Sequence, residues 1–401
     1  MSSLFVFAAL SLFAPTDETG VAIQRAIDAA NAAGGGRVAL KAAVYPSGTL
    51  YMRDNVELHI PEGAVLLGGE TPDEYDDVDD PRIGIRPERT SKVFVAAVGC
   101  TNVAITGGGV IDGRGVGFYS GSTNEWGKFS KPSCQRPRMI EFVKCRNVRF
   151  EDITFKDSPG WTCWLRMCED VVAERVKIHG DQRMINNDGF DIDGCRRVHI
   201  RNCDVKTGDD SIAVRAMRLP DGDAEICEDL LVEDCTLDSN CQAIRFGCPS
   251  DGEIRRGTFR RLKLRGLHGI TCGHPTHYLA KGDHGYCLMR DLLVEDCDID
   301  AVYAPINFFA APGVCLRAYG NVTFRNVRLR GSWPIKLQGT GDSVLKNVRF
   351  ENVSGFISSD TPMEMRSVEN VVFDGFDVTS GPGKKTHPAM NQDESCWERD
   401  R

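Results

Sequence analysis

The sequence predicts an all-β chain wound into a parallel β-solenoid, with one helix at its N-terminal end. A short apolar segment recurs along the chain, and its successive copies between Asn147 and Asn370 start 23 to 34 residues apart. Most copies alternate apolar and polar residues with period two, as strands do. No stretch between them shows the 3.6-residue period of the helices that alternating βαβ units require. Repeats of this length with strand alternation are typical of single solenoid coils.

The first element of the chain is an apolar run at its N-terminus. A secretory signal would carry a basic residue before such a run, and none is present, so we interpret the run as a first strand at one end of the core. A helix is predicted over residues 16–35, with Thr16 or Asp17 as its N-cap and a glycine stop from Gly34. Its apolar face comprises Ile23, Ala26, Ile27 and Ala30. A single amphipathic helix before a solenoid is expected to cap its exposed edge.

The coils follow the helix, and we predict a single domain over residues 1–401. Clear copies of the repeat begin at Asn102, Asn147, Asp170, Arg197, Asp229, Asp291, Asn321, Asn347 and Asn370, with a weaker copy at Gly257. Three long inserts, residues 72–91, 113–138 and 273–286, are expected to gather on one face of the solenoid, often the binding face. Residues 381–401 are predicted to be a loosely held polar tail.

The composition excludes several classes of function. Of 401 residues, 41% are hydrophobic and 26% charged, and the formal net charge of −9 argues against nucleic acid as the main partner. No apolar run is long enough to span a bilayer, so no membrane partner is expected. Three of the 16 cysteines, Cys203, Cys235 and Cys297, recur at one position of the repeat. Buried thiols stacked on each other favour a cytoplasmic over a secreted protein, and the oligomeric state stays open.

A second strand in each repeat carries an inward apolar pair, such as Phe190 with Ile192 and Ile212 with Val214. Residues between and just after the members of each pair therefore face outward. The residue two before each pair lies in the turn that enters the strand, and we assume that it also faces outward, because an unpaired buried Asp or His would be costly. Aligning the pairs then gives three outward columns. The first column is Trp161, Asp188, Asp210, Gln242, His268, Ala304 and Trp333. The second is Trp164, Asp191, Ala213, Arg245, Thr271, Asn307 and Lys336, and the third is Arg166, Asp193, Arg215, Gly247, Gly273, Phe309 and Gln338.

The first column brings carboxylates together. Neighbouring coils lie about 4.8 Å apart, so Asp188 and Asp210 are predicted to be side-chain neighbours, with Asp209 at the adjoining turn. Like charges this close repel each other, which makes a merely solvated acidic face the less favoured interpretation. Crowding can hold one carboxyl protonated as a general acid while its partners stay ionised as bases. This division of roles is the chemistry of glycoside hydrolysis.

Motifs on two successive coils resemble those of a known family. "NND" followed by "GFDI" (residues 186–192) and "GDDSI" (208–212) are similar to the Asn-Thr-Asp and Gly-Asp-Asp signatures of glycoside hydrolase family 28, the polygalacturonase family. "GGGVIDGRG", "FKDSPGW" and residues 34–68 also resemble the early coils of that family. The resemblance implies a right-handed parallel β-helix, a pectin-lyase-like solenoid. It also implies Asp209 as general acid, Asp188 and Asp210 as the residues that activate water, inversion at the anomeric carbon, and no metal or cofactor.

The chain departs from the family pattern in two places. A Gly-His-Gly would be expected on the coil that reads "CQAIRFG", where Gln242 occupies the column of the histidine. An Arg-Ile-Lys would be expected on the next coil, "HGITCG", which offers neither basic residue. Arg245 and His268 supply one arginine and one histidine, each displaced by one coil, about 4.8 Å. Hydrolysis therefore remains the expectation, while the sugar specificity is left open.

Seven further residues are predicted to contact substrate. Arg215 and Arg245 either hold a sugar carboxylate or neutralise the aspartates, and both alternatives stand. The other candidates are Asp191, Gln242 and His268 as polar contacts, and Trp161 and Trp164 as stacking surfaces for sugar rings. The insert at 273–286 and its flanks hold Cys272, His274, His277, His284 and Cys287, for which metal binding, substrate contact and a plain polar loop remain open.

We expect an inverting glycoside hydrolase that cleaves an α-linked pectic or related oligosaccharide of the galacturonide type. Because the inserts lie near the proposed catalytic coils, a closed pocket and exo action are favoured over an open groove. One alternative is an inverting enzyme of the α-galactosidase type that acts on neutral host or algal glycans. Another is a glycan-binding β-helix without activity. The expected partner is in each case an oligosaccharide or polysaccharide, and no cofactor is expected.

Overall fold

The computed structural model confirms the predicted architecture, a right-handed parallel β-helix behind an N-terminal helix. The structure describes residues 12–83, 88, 90–119, 121–124, 127–217, 225–247, 252–274 and 287–382. His277, His284, most of the predicted polar tail and most of the N-terminal apolar run lie outside this part. In the portion described, no helix combines the length and the apolar character needed to cross a membrane.

The strands form two parallel sheets that run along the solenoid, with 21 strands in the larger and 11 in the smaller over the described residues. The larger sheet consists of Leu12–Phe13, Gly36–Ala39, Val44–Pro46, Val56–His59, Val65–Leu67, Thr101–Thr106, Val110–Asp112, Arg146–Glu151, Thr154–Lys156, Glu169–Glu174, Lys177–His179, Arg196–Arg201, Asp204–Thr207, Ile226–Glu233, Thr236–Ser239, Glu253–Arg260, Lys263–Gly266, Leu288–Ala301, Ala318–Gly331, Leu345–Ile357 and Val368–Ser380. The smaller sheet consists of Leu50–Tyr51, Val93–Val98, Arg138–Val143, Cys163–Arg166, Phe190–Asp193, Ile212–Arg215, Gln242–Phe246, His268–His274, Ile306–Ala310, Ile335–Gln338 and Met363–Arg366. The described residues of the first two inserts include the 3-10 helices Pro72–Glu74 and Gly115–Phe118.

The N-terminal end is closed by helix α1, Gly20–Ala32. Its predicted apolar face, Ile23, Ala26, Ile27 and Ala30, is buried against the first coils. The N-cap is Thr19 rather than Thr16 or Asp17, because the Thr19 hydroxyl accepts the free N–H of Ala22 at 3.2 Å. The helix stops at the predicted glycines, where Gly34 takes a positive φ of 92°. Before the helix, Leu12–Phe13 is a strand that pairs with Gly36–Ala39, as expected for the end of the apolar run.

Each coil bends along the larger sheet at residues held in the left-handed backbone region. Asn147, Asn321, Asn347 and Asn370 have φ between 53° and 62°. Asn and Asp tolerate this conformation better than other residues with a side chain, which explains why the repeats start with them. The side chain of Asn347 donates to Asn321 at 2.7 Å, and that of Asn370 donates to Asn347 at 2.6 Å. The bends are therefore joined from coil to coil by an asparagine ladder.

The interior of the solenoid is a continuous apolar core that includes the repeat cysteines. All 14 cysteines among the described residues are free thiols. Cys203 and Cys235 stack on adjacent coils, and the Cys203 N–H lies 3.4 Å from the Cys235 sulfur. Cys297 shares the same column, but Leu262 on the intervening coil separates it from Cys235. The predicted stacking of thiols is therefore correct for Cys203 and Cys235, but Cys297 does not contact this pair.

Candidate active site

The smaller sheet carries the predicted columns in the predicted register. Asp191 pairs with Ala213, and Asp193 pairs with Arg215 on the next coil. The backbone N–H that follows Asp188 donates to the carbonyl of Asp210 at 2.8 Å, so these two residues occupy equivalent places on successive coils. Asp188, Asp209 and Asp210 therefore lie next to one another, as predicted, and are called the acid cluster below.

The turn that carries the Asp209 carboxylate is fixed by hydrogen bonds from two sides. One carboxylate oxygen, Oδ2, accepts the backbone N–H of Asn186 at 2.9 Å, and Oδ1 accepts that of Asp210 at 3.0 Å. The Asp209 carbonyl accepts the hydroxyls of Thr207 and Ser239, both at 2.7 Å. Asp209 is consequently the oriented and partly exposed member of the cluster.

Asn187, in the place where the family signature has Thr, joins the two motifs. Its side-chain oxygen accepts the N–H of Gly208 at 2.9 Å, and its side-chain nitrogen donates to the Asp181 carbonyl at 3.1 Å. An amide can make both bonds because it has a donor and an acceptor on opposite sides. The substitution of Asn for Thr thus keeps the two acidic turns locked together.

The other two carboxylates are buried, with only 2% of Asp188 and 1% of Asp210 exposed. This corrects the expectation that the outward columns face solvent. They point away from the solenoid interior, but described residues of inserts 72–91 and 113–138 pack beside them. Val78 and Ile83 of the first insert pack on the columns, and Lys128 of the second insert donates to the carbonyl of Gly208.

Two arginines partly neutralise the buried aspartates. Arg245 Nη1 lies 3.2 Å from Asp210 Oδ2. Arg215 donates to Asp191 and also lies 3.7 Å from Asp188 Oδ2. Both guanidinium groups are buried, so of the two alternatives the geometry favours neutralisation of the aspartates over contact with a sugar carboxylate.

Three of the buried carboxylate oxygens without a hydrogen bond from the described residues belong to the aspartates of this site: Asp188 Oδ1, Asp210 Oδ1 and Asp191 Oδ2. Burial raises the pKa of Asp188 well above its usual range, and the neighbouring negative charges raise it further. Burial also raises the pKa of Asp210, against the opposing charge of Arg245. It raises the pKa of Asp191 to about 7, with Arg215 opposing it. The site can therefore hold protons near neutral pH and has vacant acceptors for a ligand or water.

The two tryptophans have a packing role, which corrects their predicted role as stacking surfaces. Trp164 is fully buried and Trp161 is 5% exposed. Their rings meet edge to face at 6.0 Å, and the guanidinium groups of Arg138 and Arg215 lie over them. A sugar ring needs an open aromatic face, which Trp164 does not offer. The rings instead support the charged side chains by cation–π contact.

Asp193, which lies between Arg166 and Arg215 in the third column, belongs to a second buried group. Arg166 contacts Asp193 at 3.1 Å and Glu225 at 2.7 Å, and Trp164 Nε1 lies 3.3 Å from Asp193. One arginine thus faces two carboxylates. Burial and the Asp193 charge raise the pKa of Glu225 to about 10, so that this carboxyl is protonated at neutral pH.

Gln242 and His268 lie beyond Asp210 in the first column, and both are buried. The side-chain oxygen of Gln242 accepts the Thr271 hydroxyl at 2.6 Å, and its nitrogen contacts the Cys241 sulfur at 3.3 Å. His268 packs against Tyr303, and its Nδ1 has no hydrogen-bond partner in the described part of the chain. Burial lowers the pKa of His268 to about 4, so the imidazole is neutral at pH 7.

The histidine-rich insert is described only at its edges. Cys272 and Cys287 are both buried in the hydrophobic core. His274 is buried, and burial lowers its pKa to about 4. A different group of possible metal ligands lies at the acid cluster. Among the described residues, Asp209, Asp210 and Cys241 each have one potential ligand atom within 4.8 Å of those of the other two. The expectation of a metal-free reaction remains a prediction.

Sequence reasoning missed two residues of the second insert that reach the site. Arg136 donates to the carbonyl of Ile185 at 2.6 Å and to the side chain of Asn186 at 2.8 Å, so it braces the first acidic turn. Lys128 contacts the second acidic turn at Gly208. The insert was expected to lie on the binding face, but its sequence has no periodicity that would show which of its residues point inward.

Comparison with known proteins relates this geometry to a family. Residues 79–219, which include the acid cluster, match the model described as Glycosyl hydrolases family 28. A polygalacturonase from Persea americana is 30% identical over 116 residues, which are 29% of this chain and 25% of that protein. One from Gossypium barbadense is 34% identical over 113 residues, which are 28% of this chain and 27% of that protein. The chain thus spans about a quarter of the length of these curated relatives.

Solved structures share the fold along most of the chain. An exopolygalacturonase from Thermotoga maritima aligns with 89% of this chain and 88% of its own, with a TM-score of 0.70 and 21% identity. A polygalacturonase from Erwinia carotovora ssp. carotovora aligns with 89% of this chain and 97% of its own, with a TM-score of 0.70 and 19% identity. The resemblance predicted from the two aspartate motifs is confirmed: residues 79–219 match glycosyl hydrolases family 28, and the chain is similar to polygalacturonases in sequence over about 30% of its length and in fold over most of it.

Proposed function

We propose that this protein is an inverting glycoside hydrolase that cleaves an α-glycosidic bond in a pectic or related oligosaccharide of the galacturonide type. The observation that carries the proposal is the acid cluster itself. Asp188 and Asp210 occupy equivalent places on successive coils, and each keeps one buried oxygen that receives no hydrogen bond from the residues the structure describes. Unsatisfied buried carboxylates cost stability, so a function is the simplest reason for them.

In the proposed reaction, Asp209 protonates the glycosidic oxygen as the bond from that oxygen to the anomeric carbon breaks. A water held by Asp188 and Asp210 attacks the anomeric carbon from the opposite side, and its proton passes to one of these two carboxylates. The division of roles follows the family resemblance. It agrees with the partial exposure of Asp209 and with the vacant acceptor oxygens of the other two residues.

The proposed substrate class is supported by the curated relatives, which are named polygalacturonases and match the region of the acid cluster. Exo action is supported by burial, since two inserts cover the columns and leave 1–2% of Asp188 and Asp210 exposed. A chain end enters a covered site more easily than the middle of a polymer does.

The direct test is release of reducing ends from polygalacturonate by the wild type and by Asp209→Asn. We expect turnover by the wild type, a loss of about 10²-fold or more in kcat for the variant, and unchanged circular dichroism. Asp204→Asn serves as the matched control, because Asp204 is an exposed aspartate of the larger sheet. If the wild type acts only on an α-galactoside, the substrate class is wrong. If it binds pectic oligomers without any turnover, the protein is a glycan-binding β-helix.

Stereochemistry and mode of action need separate readouts. Proton NMR of the first product formed from trigalacturonate should show the β-anomer before mutarotation, as expected for inversion of an α-bond. The product profile from polygalacturonate should contain monomer or one short oligomer from the earliest times. A broad ladder of oligomers would argue for endo action.

A further inference from the structure

Lys128 is a cation that the second insert holds beside the acid cluster. Its ammonium group donates to the carbonyl of Gly208, the residue before Asp209. Lys128 also lies near Cys241. Burial raises the pKa of the Cys241 thiol, and the positive charge of Lys128 opposes this rise. Because Cys241 has its sulfur within 4.8 Å of carboxylate oxygens of Asp209 and Asp210, Lys128 lies at the edge of the cluster.

The insert positions this lysine through its backbone on both sides. The Lys128 N–H donates to the side chain of Asn124 at 3.0 Å, and its carbonyl accepts the Asn124 N–H at 2.7 Å. The next residue, Phe129, is buried, packs on Tyr119 at 5.3 Å and lies under the guanidinium of Arg183 at 4.7 Å. Lys128 is therefore held in place before any ligand arrives, which lowers the entropy cost of using its side chain for binding.

Lys128 differs from the arginines of the site in its partners. Arg215 and Arg245 are buried and already face aspartates. Lys128 is partly exposed, and its contact in the described part of the chain is a neutral carbonyl rather than a carboxylate. An ammonium has three donors, so two remain for a ligand after the bond to Gly208.

We propose that Lys128 binds the carboxylate of a uronic acid residue of the substrate and so makes the site selective for acidic over neutral sugars. This inference rests on the proposed function and deepens it by naming a specificity-determining residue. A negatively charged sugar would otherwise meet a site with more carboxylates than guanidinium groups. A preorganised ammonium at the rim offsets that repulsion at the place where the sugar enters.

The test measures binding in a variant without turnover. Trigalacturonate and its methyl ester, which lacks the charges, are titrated by calorimetry into Asp209→Asn alone and combined with Lys128→Met or Lys128→Arg. We expect Lys128→Met to weaken binding of the acid by about tenfold or more, since a hydrogen bond to a charged group is worth that much, and to leave the ester nearly unchanged. Lys128→Arg should restore part of the loss, and the effect should shrink as salt is added.

The matched control is Lys177→Met in the same background, because Lys177 is an exposed lysine of the larger sheet. Equal effects of Lys128→Met on acid and ester, or no effect on either, would overturn the inference even if polygalacturonate is hydrolysed. Absence of any binding of the acid to Asp209→Asn or to the wild type would overturn it as well. If binding depends on Lys128 but the wild type has no hydrolase activity, the inference stands and the proposed hydrolysis fails.

Discussion

At the scale of single residues, burial decides what each charged side chain beside Asp188 can do. The inward apolar pairs gave the strand register that makes Asp188 and Asp210 neighbours, while the outward direction of these two turn residues had to be assumed from the cost of burying an unpaired aspartate. It could not predict that inserts cover the columns, and so Trp164 was assigned to sugar stacking when its ring is fully buried. Pairing of Arg215 with Asp191 and Asp188 likewise depends on side-chain conformation rather than on spacing.

Arg245 should set the acid limb of the pH profile. Burial raises the pKa of Asp210, and the Arg245 guanidinium opposes this rise. Removing that cation in Arg245→Met should raise the pKa further, so that the base becomes protonated at a higher pH. We expect the acid limb of kcat/KM to move up by about one pH unit, measured on trigalacturonate. Arg245→Lys should move it less, and an acid limb that stays in place would contradict a base role for Asp210.

Glu225 should make the free energy of unfolding fall as pH rises above about 4.5. Its folded pKa of about 10 lies above the ordinary value of 4.5, so its favourable contribution is complete below about pH 4.5 and is lost as pH rises toward 10. Glu225→Gln keeps the neutral form at every pH. Relative to this variant, the wild type should lose up to about 1.4 kcal/mol of unfolding free energy per pH unit between pH 5 and 9. Urea unfolding of both proteins at pH 5.5 and 8.5 measures this, and a constant difference would contradict a shared proton beside Arg166.

At the scale of elements, the repeats specify the coil and its bends together. The alternation in "NVRFENVSG" predicts a strand, and the asparagine at its start marks the bend, because that residue takes the left-handed conformation with φ of 57°. The sequence also predicted helix α1 and its apolar face. Its N-cap was misplaced because Thr16, Asp17 and Thr19 are all good caps, and the choice depends on where the chain leaves the first strand.

Asn347 allows the bend to be tested apart from the ladder. Both Asn347→Ala and Asn347→Gly remove the side-chain bonds to Asn321 and Asn370. Alanine is strained at the positive φ of this position, whereas glycine is not. Glycine, however, loses more conformational entropy on folding, so the difference in stability between the two variants is smaller than the strain alone. We expect Asn347→Ala to be about 1 kcal/mol less stable than Asn347→Gly in urea unfolding. Equal stability would show that the ladder, and not the backbone conformation, selects asparagine.

At the scale of the whole molecule, a regular solenoid supplies the carboxylates and irregular inserts complete the site. The regular part was predictable because each coil repeats the same apolar pattern and stacks on its neighbour. The contributions of Arg136 and Lys128 were not, because an insert without periodicity gives no sign of which side chains turn inward. The cytoplasmic location inferred from the cysteines remains a prediction.

The central claim is that carboxylates on two successive coils act as one catalytic unit, and a double-mutant comparison tests it most directly. The kcat for trigalacturonate is measured for Asp188→Asn, Asp210→Asn and the variant with both changes. We expect each single change to cost about 10²-fold to 10⁴-fold and the double variant to lose little more than the worse single one, because the two residues serve the same step. Losses that multiply in the double variant, or a single variant with nearly full activity, would contradict the claim.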